Sequence, residues 1–123
     1  MSYVDKGIQR AVEMASYSDC PNYKLGAVLM KGNKLISQGY NIFKKSHTQS
    51  KTIYNGIHAE FSCLYNVDYE KARNAALFVA RVTNAGVLSM ARPCDVCLEL
   101  LRERGVRVFY YTDYEGNVKR EVA

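Results

Sequence analysis

Two short motifs far apart in this chain constrain its fold more than any other feature. They are His58-Ala59-Glu60 and Pro93-Cys94-Asp95-Val96-Cys97, with His58 and Cys94 separated by 36 residues. One imidazole and two thiolates make a Cys₂His ligand set, which fills three corners of a tetrahedron and leaves the fourth to water, as in catalytic zinc sites. Cys94 and Cys97 stand three apart at the start of a predicted helix, so both sulfurs fall on one side. The amide-rich helix terminus there lowers the cost of the thiolates a metal requires. A fold that closes this set must bring the beginnings of two helices together.

Glu60 follows His58 by two positions, roughly 200° around a helix at ~100° per residue, so the two side chains are not placed to chelate one ion. A carboxylate beside a metal-activated water has other work, taking a proton and returning it to a substrate. Glu60 is therefore read as catalytic, and His58, Cys94 and Cys97 as metal ligands.

A length of 123 residues suits one domain, spanning 1–123, because two independent halves would each lack a sufficient core. At 48% apolar and 24% charged, the composition is that of an ordinary globular protein and not of a disordered chain. No apolar run approaches the ~18 residues of a membrane span. Asp5, Lys6, Arg10 and Glu13 stand where a signal peptide would be apolar, so the chain is expected in the cytoplasm, away from membranes. In that reducing compartment four cysteines point to metal binding or burial, not to disulfides. The net charge of +5 favours anionic ligands without demanding nucleic acid.

Val4, Ile8, Ala11, Val12 and Ala15 give one apolar stripe and predict a helix over about 3–17. Leu25 to Met30 and Lys34 to Gly39 read as strands joined at Gly32-Asn33, a pair suited to a tight hairpin. Asn41 to Gly56 is polar and basic, with no apolar period, and reads as a loop. A second helix is predicted from His58 to about Asn66, a buried strand over Ala75 to Val82, and a third helix over Asp95 to Arg104, stopped by Gly105. Val106 to Thr112 is the strongest strand, and Asp113 to Gly116 turns into a last strand over Asn117 to Val122. The order α-β-β-α-β-α-β-β implies an α/β layered sheet.

The paired pattern H-x-E…P-C-x-x-C is the signature of zinc nucleobase deaminases. With it, Leu25 to Leu29 followed by Ser37-Gln38-Gly39-Tyr40-Asn41 resembles the first hairpin of the cytidine and deoxycytidylate deaminase superfamily. The arrangement is similar to that of small, often phage-encoded, deaminase-like proteins. The resemblance implies a three-layer fold, a mixed five-stranded sheet with helices on both faces. It implies Zn²⁺ on His58, Cys94 and Cys97, and hydrolytic deamination of a cytosine nucleoside or nucleotide by a zinc-activated water with Glu60 as proton shuttle. Asn41 takes the position of a substrate contact, and the Ala59 backbone N–H is available to the base carbonyl. A homo-oligomer is also implied.

The short turn at Asp113 to Gly116 makes the last strand antiparallel, as in free-nucleoside enzymes of the superfamily, yet those generally carry cysteine where this chain has His58. The chain thus mixes features of two branches. A polynucleotide substrate, single-stranded DNA or tRNA, is the alternative.

Further substrate contacts are sought in Arg92, a phosphate candidate beside Pro93, in His47 and the lysines of the basic loop (Lys44, Lys45 and Lys51), and in Tyr114, placed to stack on a base. Two blander readings stand beside these. A closed structural zinc site needs a fourth ligand from Cys20, Cys63 or His47, and a redox Cys-x-x-Cys leaves the His58-Ala59-Glu60 motif without a task.

Overall fold

The computed structural model describes residues 2–21, 23–42 and 57–123. The elements are α1 (Tyr3–Ala15), β1 (Lys24–Lys31), β2 (Lys34–Tyr40), α2 (Ala59–Leu64), α3 (Tyr69–Ala72), β3 (Ala76–Val82), β4 (Leu88–Ser89), α4 (Asp95–Glu103), β5 (Val108–Thr112) and β6 (Val118–Val122). The main sheet runs β2-β1-β3-β5-β6, with β4 attached to β3. Among the described strands only β3 and β5 are parallel, through Ala76↔Val108 to Val79↔Tyr111, and β6 runs antiparallel to β5 as the short turn demands. This is the expected mixed α/β arrangement.

Two elements were not expected. α3 is a single turn of four residues, too short to print an apolar period. β4 makes six strands where five were expected, and it exists because β5 pairs with β3 only as far as Val79↔Tyr111. Beyond that point β3 has a free edge, and Ser89 and Leu88 take it opposite Arg81 and Val82. The fully buried Thr112 knits this corner. Its Oγ1 accepts from the Arg81 N–H at 3.3 Å and donates to the Ser89 carbonyl at 2.6 Å.

Strand alternation sorts side chains onto two faces. Val28, Met30, Phe78 and Ala80 face α1. Ala27, Leu29, Leu77 and Val79 face the opposite layer, with Ala59 and Cys63 of α2 and Leu98 and Leu101 of α4. α2 sits close on β2 because Gly39 has no side chain there; a Cβ would come within 2.5 Å of the Cys63 backbone nitrogen. Two residues earlier, the Ser37 hydroxyl donates to the Cys63 carbonyl at 2.6 Å. Those two positions on β2 set the height of α2 above the sheet. No helix among the described residues is long and apolar enough to cross a membrane.

Candidate active site and metal centre

α2 and α4 direct their first turns toward one another. His58 and Cys94 are the N-cap residues of these helices, both in extended conformation, with ψ of 152° and 169°. An N-cap residue stands just outside the helix, so its side chain can reach across the first turn instead of lying along the helical surface. Neither caps its own helix by a side-chain hydrogen bond. His58 Nδ1 lies 3.6 Å from Cys94 Sγ and 3.5 Å from Cys97 Sγ. All three ligand atoms lie within 4.8 Å of one another. Tetrahedral bonds of ~2.3 Å to sulfur and ~2.05 Å to nitrogen set S and N apart by ~3.6 Å, so the side chains fit zinc as they stand.

Hydrogen bonding from Cys97 and His58 holds the Cys94 thiol well below its usual range, while the hydrogen bond to Cys94 and burial push Cys97 upward. His58 is raised, chiefly by its hydrogen bond to Cys94. Glu60 is buried, and that burial raises its carboxyl above the ordinary range against the opposing pull of its backbone amide and of His58. Cys63 is a core residue on α2, and burial pushes its thiol up to about 12. Among the described residues neither Cys63 nor Cys20 joins the ligand group. His47 and Lys44, Lys45 and Lys51 lie outside the described residues.

The centre opens on a cavity of about 280 Å³, to which His58, Ala59, Glu60 and Cys94 contribute. Asn41 and Arg92 line it too, but each is already engaged. Asn41 Oδ1 accepts from the Leu25 N–H at 2.8 Å and its amide donates to the Tyr23 carbonyl at 3.4 Å, which fixes the end of β2 against the start of β1. Arg92 donates through Nε and Nη2 to the two carboxylate oxygens of Glu121, at 2.7 and 3.1 Å. The Tyr111 hydroxyl donates to the same carboxylate at 2.6 Å. Together they hold Glu121 down at about 2. Ala59 is the first residue of α2, so its N–H has no partner within the helix. Tyr114 is 72% exposed and is not among the residues lining the cavity.

The backbones of Ile42 and Ile57 exchange two hydrogen bonds, of 2.9 and 2.8 Å, and both residues line the cavity. Sequence reasoning missed Tyr23 and Arg81, which line it as well. The available signal was a charged residue in phase with Leu77 and Val79, on the buried face of an apolar strand.

No curated protein matches the chain in sequence. Among solved structures, the cytidine deaminase from Burkholderia pseudomallei is similar at 19% identity and a TM-score of 0.71, covering 99% of this chain and 93% of that one. The dCMP deaminase from the cyanophage S-TIM5 is similar at 19% identity and a TM-score of 0.65, covering 93% and 86%. The cytidine deaminase from Mycobacterium leprae follows the same fold at 24% identity and a TM-score of 0.61, covering 98% and 94%. The family model for the cytidine and deoxycytidylate deaminase zinc-binding region matches residues 1–112. With that match over most of its length and a His58, Cys94 and Cys97 group shaped for its Zn²⁺ cofactor, the chain belongs to the cytidine and deoxycytidylate deaminase family of zinc-dependent enzymes.

Proposed function

We propose that this protein hydrolyses the exocyclic amino group of a cytosine nucleoside or nucleotide, releasing ammonia and leaving the uracil product. The observation that carries the reading is the convergence of His58, Cys94 and Cys97 within 4.8 Å at a cavity that also holds the buried Glu60. Zinc bound by these three side chains would supply Lewis acidity, which brings the pKa of a water from ~15.7 to ~7.

Glu60 does the proton work. Its buried carboxylate, beside the cavity, is suited to accept a proton from the attacking water and deliver it to N3 of the ring, then to take the proton of the hydroxyl now on C4 and pass it to the departing amine. The oxygen replaces nitrogen at C4, and no redox partner is needed. The Ala59 N–H, free of helical partners, is available to the base carbonyl. Counting bonds to the described residues, Asn41 keeps an amide N–H and an oxygen lone pair beyond its backbone bonds, enough for one contact to substrate.

Replacing Glu60 with Gln keeps the shape and removes the proton transfer. Glu60→Gln should retain one zinc per chain and lose about 10²- to 10⁴-fold in turnover of a cytosine nucleoside or nucleotide, read by ammonia release. A zinc-loaded variant turning over at the parent rate would remove Glu60 from this role.

A further inference from the structure

We infer that Arg81 selects the substrate by binding a 5′-phosphate, so that a pyrimidine nucleoside monophosphate is preferred over the free nucleoside. This rests on the deaminase reading above and names the substrate class of the same cavity.

Arg81 belongs to β3, in phase with Leu77 and Val79, the strand face that packs beneath α2 and α4. It lies opposite Leu25 of β1 and Ser89 of β4 and lines the cavity shared with His58 and Glu60. Its guanidinium carbon stands 5.1 Å from the centre of the Tyr23 ring, which fixes its plane. Among the described residues its buried Nε has no hydrogen-bond partner and its guanidinium enters no ion pair.

A charged N–H buried without an acceptor is costly, and native structures keep such groups chiefly where a ligand or water will satisfy them. Arg92 is the contrasting case. It lines the same cavity, but its Nε and Nη2 are paired with Glu121, whose carboxylate offsets its charge and fixes its orientation. Arg81 is therefore the cavity guanidinium whose charge no carboxylate among the described residues offsets, and so the better placed to meet an incoming anion. Its planar fork matches phosphate oxygens in a bidentate arrangement that a neutral nucleoside cannot use.

The test measures kcat/KM for deoxycytidine, deoxycytidine 5′-monophosphate and a short oligodeoxycytidine lacking terminal phosphate, in the parent, Arg81→Gln, Arg81→Lys and Arg92→Ala proteins. Affinities of the zinc-loaded proteins for the first two compounds are measured by calorimetry. The parent should favour the monophosphate, and Arg81→Gln should lower the monophosphate-to-nucleoside ratio by about 10- to 100-fold, the usual worth of charge-assisted hydrogen bonds. Arg81→Lys should fall between, and Arg92→Ala should keep most of the preference.

Equal use of the two small substrates by the parent overturns the inference. So does a preference that survives in Arg81→Gln, one that disappears in Arg92→Ala instead, or an oligonucleotide favoured over the monophosphate. If Arg81→Gln does not fold, as judged by circular dichroism, the Arg81→Lys ratio decides. If no compound is deaminated, the reaction assignment fails on its own, and the calorimetric ratio still decides whether Arg81 binds phosphate.

Discussion

Replacing Gly39 with Ala tests the link between sheet packing and metal binding. The added Cβ would stand 2.5 Å from the Cys63 backbone nitrogen and 2.7 Å from Ser62 Oγ. Ordinary van der Waals contact requires about 1 Å more, and the nearest obstacle is helix backbone, which cannot rotate aside as a side chain would. Either α2 lifts or β2, an edge strand, moves outward.

His58 begins α2, so a shift of that size would carry Nδ1 away from sulfurs now 3.5 and 3.6 Å distant, against the ~3.6 Å that tetrahedral zinc needs. Overpacking of this kind costs about 1–3 kcal/mol, which at ~4 °C per kcal/mol lowers Tm by about 4 to 12 °C. Zinc affinity should fall by about 10- to 100-fold, as when the support of a ligand is disturbed. The assay is competition with a chromophoric chelator, run beside thermal melting. Gly32→Ala is the control: its φ of +59° brings strain of about 1 kcal/mol, yet nothing lies within 4 Å and the metal centre is remote. A Gly39→Ala protein that binds zinc like the Gly32→Ala protein would refute the argument.

Other outcomes follow from the same geometry. Thr112→Val removes the hydroxyl shared by Arg81 N–H and the Ser89 carbonyl, and should destabilise by about 1–3 kcal/mol in urea titrations. Stripping zinc with a chelator should abolish ammonia release, and restoring zinc should recover it; activity that persists without metal contradicts the mechanism. Glu121 is held at about 2, below the ~4.3 of a free glutamate, so its contribution to stability is present above ~4.3 and lost as pH falls through about 2. Glu121→Gln should therefore destabilise the protein at pH 7 and have little effect near pH 2, as read from denaturant midpoints at the two pH values.

The metal centre was legible in the sequence because its chemistry is encoded in residue type and local spacing. His58 and Cys94 each stand just before a helix, with Cys97 in the first turn of the second, and a shared ion is the economical reason for their gathering there. The major strands were legible for a similar reason, since Ala76 to Val82 and Val108 to Thr112 carry strong apolar runs. What stayed hidden depends on register between distant segments. Nothing local to Arg92 announces Glu121, which reaches it only because β6 folds back beside β5. Asn41 is a substrate candidate by position, but its bonds to Tyr23 and Leu25 require the pairing of β1 with β2. β4 has two residues and is defined by the edge that β5 leaves open. Arg81 was absorbed into an apolar run, although its phase places a cation against the core.

The paired backbone bonds between Ile42 and Ile57 anchor the residue that precedes His58 to the chain just past the end of β2. Main-chain bonds of this kind do not depend on the side chains that carry them, proline excepted. Both side chains can therefore be varied to reshape the wall they line while the imidazole next to Ile57 keeps its tether.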